Sequence, residues 1–199
     1  AAFLTACSDK VDESDIYTFK GETITSYLEK SENFTDFAYI LSRVKLSKRS
    51  ESTIAQLLSA RGNYTVFAPT NDAVQHYLDS VYQTTDYDIT QIPDSVADYI
   101  ARNAIIDCED LNAYQTTDFN VGTLERTNMD DRYITVDFDT INGGNLATII
   151  NNSARIVLPD IEVYNGYIHG VNQVLSLSRA TVPALIESAD NLRIFNELL

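Results

Sequence analysis

The sequence changes character abruptly within Tyr64-Thr65-Val66-Phe67-Ala68-Pro69-Thr70-Asn71-Asp72-Ala73. The first four residues are aromatic or β-branched, which is typical of a strand in a protein core. Pro69 fixes φ and has no amide hydrogen to donate, so we expect the strand to end there. Thr70 can cap a helix that begins at Asn71, and Asp72 would lie near the positive end of that helix's dipole. The stretch therefore predicts a buried strand followed directly by a helix.

A second apolar block lies about a hundred residues later and reads Asn165-Gly166-Tyr167-Ile168-His169-Gly170-Val171-Asn172-Gln173-Val174-Leu175. The Asn-Gly pair is typical of a turn, and the residues after it suit a core strand. His169 falls in this apolar run, so we expect a buried histidine with both ring nitrogens hydrogen-bonded. Together the two blocks resemble the paired signatures of the fasciclin, or FAS1, family. The resemblance covers about Ile24 to Ser178 and departs from the second signature at Asn172, where aspartate is common.

The resemblance implies an α+β domain of the FAS1 fold, a compact β-sheet wedge or sandwich packed with several short helices. It also implies a mainly structural role for the matching signature residues, which are Phe67, Pro69, Thr70, Asn71, Asn165, Gly166, Ile168 and His169. The Tyr-His pair usual between the two signatures is missing, because the chain reads Arg102-Asn103-Ala104-Ile105-Ile106 there. This departure weakens any adhesive role attributed to that pair in animal relatives.

One further segment resembles a family sequence that has been proposed to bind integrins. Pro159, Asp160 and Ile161 match that sequence, whereas Leu158 and Glu162 do not. These three matching residues form a candidate interaction site. The interpretation that we favour is structural, with Asp160 capping a turn and Ile161 packing in the core.

Hydrophobic periodicity predicts helices in the first half of the chain. Apolar residues at helical spacing begin at Ile24, are interrupted at Ser31-Glu32-Asn33 and resume at Phe34. We therefore expect two helices, with Ser31 or Asn33 capping the second. A third, short helix is expected around Ile54.

The helix after the first signature is predicted to run from Asn71 to Val81, with Val81 among its inward residues. A further helix opens at Pro93-Asp94-Ser95 and is predicted to continue through Ile106. The apolar period then changes to that of strands, which are predicted at residues 132–138, 147–150, 154–158, 166–171 and 174–177. Helices followed by strands indicate an α+β domain rather than alternating βαβ units.

Length and charge limit the classes of function. The 199 residues are 44% hydrophobic and include 12 Tyr and 8 Phe, enough for one domain with a substantial core and some additional chain. The net charge is −15 and no basic run occurs, so the chain lacks the means to neutralise the phosphates of a nucleic acid. The same acidity argues against direct docking on anionic lipid.

The N-terminal segment resembles that of a bacterial lipoprotein. Leu4-Thr5-Ala6-Cys7 has the pattern of a lipobox, in which an aliphatic residue and two small residues precede the cysteine that is acylated. The preceding apolar residues are too few to span a membrane, which takes about 20. We assign residues 1–7 to a signal-peptide remnant ending at the lipidated Cys7, and the polar residues 8–22 to an acidic tether. The acidic residues behind the cysteine also resemble the surface-export signal of Bacteroidetes lipoproteins.

The FAS1 domain is assigned to residues 23–178, and residues 179–199 are predicted to begin a second repeat. The evidence is a pattern shared by residues 28–41 and 186–199 at a constant offset of 158. The identical pairs are Glu29/Glu187, Asn33/Asn191, Phe37/Phe195 and Leu41/Leu199.

The sequence carries no recognisable catalytic or metal-binding pattern: no nucleophile elbow, phosphate loop or dinucleotide fingerprint occurs. The two histidines, His76 and His169, are far apart and lack a suitably spaced carboxylate. Cys108 follows the predicted helix end and precedes Glu109 and Asp110, which would raise its pKa and make it a poor nucleophile. Acylation of Cys7 would also leave Cys108 without a disulfide partner. We predict no catalytic residues, no metal and no cofactor.

These features lead to a main hypothesis and a rival. The main hypothesis is a non-enzymatic, surface-anchored module that binds protein or glycan, in adhesion or as an accessory lipoprotein of an outer-membrane nutrient-uptake complex. Its partners would then include the transporter and its surface lipoproteins. The lipid anchor would place it in the outer membrane, exposed at the cell surface or, alternatively, on the periplasmic side. The rival is a glycan-processing hydrolase with an unrecognised carboxylate pair, about 5–9.5 Å apart across a cleft.

Overall fold

The computed structural model describes residues 21–141 and 144–176, which form an α+β fold. Its α-helices are α1 (Ile24–Lys30), α2 (Thr35–Arg43), α3 (Ile54–Ser59), α4 (Asn71–Tyr82) and α5 (Asp94–Asn103). Its strands are β1 (Tyr64–Pro69), β2 (Ile105–Asp107), β3 (Gly122–Thr127), β4 (Tyr133–Ile141), β5 (Asn145–Ile150), β6 (Ala154–Val163) and β7 (Gly166–Val171). Two short 3-10 turns span Ile89–Gln91 and Thr116–Asp118. The predicted lipidation site at Cys7, most of the acidic tether and the repeat-like segment 179–199 lie outside the described residues.

The strands form one sheet in the order β2-β1-β7-β6-β5-β4-β3. β1 and β7 run parallel, from Tyr64 opposite Gly166 to Pro69 opposite Val171, and the other neighbouring strands of the described sheet run antiparallel. β6 joins the two halves of the sheet, because its first residues pair with β5 and its later residues pair with β7. The two signature blocks therefore form adjacent strands at the centre of one half.

Strand β1 is buried along its whole length because the sheet is covered on both faces. Tyr64, Val66 and Ala68 point into a core that they share with the helices. Phe67 points the other way, into a second core between the halves of the sheet that includes Phe119. This two-sided burial explains why the strand reads as a continuous apolar run without alternation.

Helix α4 begins as the first signature predicts. The Thr70 hydroxyl oxygen accepts a hydrogen bond from the backbone N–H of Ala73 at 3.3 Å, and the helix starts at Asn71. The predicted inward position of Val81 is wrong, because its exposure is 44%. The buried residues of α4 are Ala73, Val74 and Leu78, so the last turn of the helix projects beyond the core.

Two predicted elements are replaced by different structure. The helix predicted to reach Ile106 ends at Asn103, and Ile105–Asp107 forms β2 against the free edge of β1. The strand predicted at residues 174–177 is not a strand over Val174–Ser176; Val174 and Leu175 are buried there in irregular structure. Apolar runs this short show that a segment is buried, but they do not distinguish a helix from a strand or a buried loop.

Two features of the second half differ from the predicted strands. β3 was not predicted, because Leu124 is its one buried position and the strand lies at the edge of the sheet. β6 is longer than predicted and passes through Pro159. The pairing of β6 with β7 shifts register between Leu158 and Ile161, and this irregularity accommodates a residue that has no N–H to donate.

Candidate functional site

The two signature blocks meet along the β1–β7 pair, where Gly166 makes the closest backbone approach. Gly166 has a φ of +143°, and a Cβ placed on it would lie 1.8 Å from the carbonyl oxygen of Tyr64. Only glycine fits this position, because any side chain would overlap the neighbouring strand and L-residues rarely adopt such a φ. Ile168 follows in β7 and is fully buried in the core shared with the helices.

Asn165 links the turn before β7 to two helices. Its Oδ1 accepts a hydrogen bond from the backbone N–H of Ile24 at 2.9 Å. Its Nδ2 donates to the carbonyl oxygens of Leu58 at 2.8 Å and Ala60 at 2.9 Å. The Asn165 side chain is thus fully engaged inside the protein, where it satisfies the start of α1 and the end of α3.

Asn71 has a corresponding role at the start of α2. Its Oδ1 accepts from the backbone N–H of Asp36 at 3.1 Å, and its Nδ2 donates to the carbonyl oxygen of Glu32 at 2.8 Å. The prediction that Ser31 or Asn33 caps this helix is wrong: Phe34 is the N-cap residue and makes no side-chain cap bond. An asparagine from the first signature supplies the missing acceptor instead.

The second core holds a group of stacked rings. The ring of Phe67 lies 5.5 Å from that of His169 and 6.2 Å from that of Phe119, measured between centroids. His169 is fully buried, its Nδ1 lies 3.2 Å from the backbone nitrogen of Asp160, and its Nε2 lies 2.9 Å from the carbonyl oxygen of Tyr114. Nδ1 therefore accepts and Nε2–H donates, as expected for a neutral core histidine. Burial lowers the pKa of His169 and keeps the ring neutral, although the Tyr114 carbonyl and Asp160 carboxylate act in the opposite direction.

Asp160 connects β6 to a separate loop. It lies at the irregularity of β6 with a φ of +53°, and its carboxylate accepts hydrogen bonds from the backbone N–H of Thr116, at 2.7 Å, and from the Thr116 hydroxyl. It thereby caps the 3-10 turn that begins at Thr116. Ile161 is partly buried against the core shared with the helices, whereas Pro159 is exposed. The structure thus assigns roles within the fold to Asp160 and Ile161, two of the three residues of the candidate interaction site.

The segment capped by Asp160 belongs to residues 108–119, which we call the 108–119 loop. Strand β1 and the residue before it hold this loop in place. The Thr65 hydroxyl oxygen accepts from the backbone N–H of Tyr114 at 2.7 Å, and Asn63 Oδ1 accepts from that of Ala113 at 3.1 Å. Asn63 Nδ2 also donates to the carbonyl oxygen of Leu111. Sequence reasoning missed Asn63 and Thr65, because each contacts residues more than 40 positions away.

A cavity of about 550 Å³ opens beside this loop, and we call it the loop pocket. Its lining is rich in amides, tyrosine rings and carboxylates, contributed by Asn63, Asn112, Tyr114, Gln115, Asp118, Glu125 and Tyr167. Gln115 Nε2 donates to the Tyr167 hydroxyl at 2.8 Å, so these two side chains hold each other in position. A few fixed polar groups beside aromatic rings are the kind of lining that binds polar ligands.

Cys108 and His76 could in principle react or bind a metal, but neither lies in a suitable site. Cys108 is a fully buried free thiol that follows β2 rather than a helix. Its pKa is raised, as predicted, but mainly by burial, with Asp107 contributing; Glu109 and Asp110 instead pair with Arg126. His76 is exposed on α4. Within residues 21–141 and 144–176, no group of three or more His, Cys, Asp or Glu side chains is arranged to hold a metal ion.

Among the helices of the described residues, none has both the length and the apolar character needed to cross a bilayer.

Comparisons with known proteins identify the family. A family model described as the Fasciclin domain matches residues 32–177. A search of curated proteins finds no match. One similar solved structure is described as "Novel Fold Revealed by the Structure of a FAS1 Domain Pair from the Insect Cell Adhesion Molecule Fasciclin I", with 16% identity and a TM-score of 0.43. That match covers 68% of this chain and 44% of the insect chain, so this chain spans less than half of the insect protein's length. Because the family model matches well over half of the residues, the chain belongs to the fasciclin family.

Proposed function

We propose that this protein is a surface-anchored, non-enzymatic interaction module that binds protein or glycan. Fasciclin domains are modules of the cell-adhesion type, which supports an interaction role. The observation that carries the proposal is that the polar signature side chains are hydrogen-bonded within the protein. This holds for Asn71, Asn165 and His169. Recognition is therefore assigned to exposed surfaces, and the loop pocket is the first candidate.

The loop pocket suits this role because a rigid core supports it. Its loop is fixed from β1 by Asn63 and Thr65 and from β6 by Asp160, so its shape is set before a ligand arrives. A preformed site loses less conformational entropy on binding than a mobile one. Amides and hydroxyls at its rim can donate and accept hydrogen bonds, as sugar hydroxyls and peptide groups both require.

A binding test can separate the module from the rival hydrolase. Beads that carry the 199-residue chain would be tested for retention on surfaces coated with polysaccharide or with protein. Asn112→Arg, which extends a long side chain from the exposed rim of the pocket, should lower retention about thirtyfold or more, since the loss at a hot spot is about 2 kcal/mol or greater. Thr140→Arg adds the same charge at an exposed position of β4 and should leave retention unchanged.

The same experiment tests the rival, since Asp118 and Glu125 both line the loop pocket. The Asp118 carboxylate accepts the backbone N–H of Gln115 at 2.9 Å, which gives it a structural role as well. The proposed module should release no sugar from the coated polysaccharide. Released oligosaccharide that disappears in Glu125→Gln would overturn the proposal in favour of hydrolysis.

We further propose that the module is an outer-membrane lipoprotein and, in that setting, an accessory component of a nutrient-uptake complex. The lipobox-like Leu4-Thr5-Ala6-Cys7 supports the anchor, and the acidic residues behind Cys7 support exposure at the cell surface. A single acyl chain binds a bilayer only marginally, so stable attachment implies more than one chain on the cysteine. A periplasmic orientation is the alternative.

Replacement of the predicted acylation site should release the protein from the membrane. Full-length Cys7→Ala is expected to move from the membrane fraction to the soluble fraction and to lose metabolic labelling by fatty acid. The matched control is Cys108→Ala, which removes the buried thiol and should leave both fractionation and labelling unchanged. Fatty-acid labelling that persists in Cys7→Ala would contradict the anchor.

A further inference from the structure

A concentration of positive charge lies between α2 and α5, on an otherwise acidic protein. A cavity of about 400 Å³ opens there, which we call the basic pocket. Four cationic side chains line it, together with two carboxylates: Arg43, Lys45, Lys48, Arg102, Asp94 and Asp98. Apolar residues are interspersed among Arg43, Lys45 and Lys48 in the sequence, and Arg102 joins them only in the fold.

The two arginines are held in fixed positions. Arg43 donates to the carbonyl oxygen of Ile92 at 3.1 Å and pairs with Asp94 at 2.8 Å. Arg102 donates from Nη2 to the carbonyl oxygen of Lys45 at 2.8 Å and pairs through Nε with Asp98 at 2.8 Å. Both guanidinium groups are partly buried, so their orientation is largely set before any ligand arrives.

The balance of charge in the pocket is positive. Its two carboxylates, Asp94 and Asp98, are paired with the arginines. Lys45 forms an ion pair of 2.8 Å with the exposed Glu51. Lys48 is exposed at the rim and makes no ion pair or hydrogen bond with any described residue. A free ammonium group beside fixed guanidinium groups in a concave site attracts a small anion, even when the net charge of the chain is −15.

We infer that the basic pocket binds an acidic oligosaccharide through its carboxylate or sulfate groups. This inference rests on the proposed function, because it names a ligand class for an interaction module. The anionic group would lie between the exposed Lys48 and the in-plane N–H groups of the Arg102 guanidinium, with the exposed Ser47 beside it. The Ser47 hydroxyl oxygen accepts a hydrogen bond from the backbone N–H of Arg49 at 3.4 Å, and its own hydrogen can be donated to a ring hydroxyl.

The shape of the site favours a slender saccharide over a protein surface. A volume of about 400 Å³ falls within the range of small-ligand sites, roughly 300–1,000 Å³. A stable protein partner would instead cover about 800 Å² on each side and would be anchored by aromatic residues in a flat, well-packed patch. A large polyanion would also be repelled by the surrounding acidic surface, whereas a short acidic chain would be repelled much less.

The test is calorimetric titration of the 199-residue chain at low salt. The probes are trigalacturonate as the carboxylate arm, a sulfated disaccharide as the sulfate arm, neutral maltotriose and hexaglutamate. At least one acidic saccharide should bind, with an affinity that falls as salt is added, and maltotriose should not. Lys48→Ala should weaken that binding about threefold and Lys48→Glu about tenfold.

A matched charge change controls for the net charge. Arg155→Glu makes the same two-unit change as Lys48→Glu but lies on β6, away from the helices that form the pocket. Equal weakening by the two variants, tighter binding of hexaglutamate than of either acidic saccharide, or no acidic saccharide binding would each overturn the inference. Because Asn112 is not in this pocket, Asn112→Arg can still lower bead retention when the basic pocket binds nothing, which separates this failure from that of the proposed function.

Discussion

Gly166→Ala is expected to abolish the folded protein. The added Cβ would lie 1.8 Å from the carbonyl oxygen of Tyr64 and 2.8 Å from its backbone nitrogen and carbonyl carbon. Both groups belong to backbone at the start of the β1–β7 pair, so neither can move without breaking the register of the sheet. An unfavourable φ alone costs about 1–3 kcal/mol, and the overlap adds to it, against a typical domain stability of about 5–15 kcal/mol. Soluble yield and thermal unfolding by circular dichroism would measure the effect.

A second glycine separates backbone strain from steric overlap. Gly122 has a similar φ of +129°, but nothing lies within 4 Å of the place its Cβ would occupy. Gly122→Ala should therefore lower the free energy of unfolding only by the cost of the unfavourable φ, about 1–3 kcal/mol, and the variant should remain folded. If the two variants unfold at the same temperature, the close approach of Gly166 to Tyr64 is not what requires glycine there.

Phe67→Ala should give the next largest loss of stability. The side chain is fully buried and stacks on both His169 and Phe119, and its removal would leave a cavity in the core between the halves of the sheet. Truncation of a buried phenylalanine typically costs about 3–5 kcal/mol. Chemical denaturation followed by fluorescence or circular dichroism would give the change in the free energy of unfolding.

Thr70→Ala provides a milder comparison within the same signature. It removes the cap of α4 without creating a cavity in the core and should cost about 0.5–2 kcal/mol. Both variants should retain binding under conditions in which they are folded. If Phe67→Ala unfolds like the parent protein but no longer binds its partner, then the signature recognises a ligand and its structural role is secondary.

The parts of the fold that were predicted are those with a local physical cause. Thr70 has the hydroxyl that a helix cap needs, and Pro69 cannot continue the ladder, so the change from strand to helix is readable from a few adjacent residues. His169 in an apolar run has few options other than a neutral ring with two hydrogen bonds. The FAS1 fold itself followed from the resemblance of two blocks, which carries more information than periodicity alone.

The parts that were missed depend on distant partners. Ile105 and Ile106 have apolar side chains that would suit either a helix or a strand, and the free edge of β1 makes them a strand. Asn71 caps a helix that begins more than 30 residues earlier, and Asp160 caps a turn in the 108–119 loop. The basic pocket likewise depends on Arg102 packing beside residues 43–48. These contacts join residues that are far apart in the sequence, so local sequence patterns do not predict them.

The parallel pairing of β1 with β7 also governs when the domain can fold during synthesis. Tyr64 finds its partner only at Gly166, so about a hundred residues must be made before the central pair can close. Closing a loop of this length costs chain entropy before any contact repays it, and folds dominated by distant contacts form slowly. Until β7 has been synthesised, the edge of the apolar β1 that pairs with β7 has no partner strand and is prone to aggregation. A nascent chain that has not yet reached Val171 is therefore expected to remain non-native and to need the protection of chaperones.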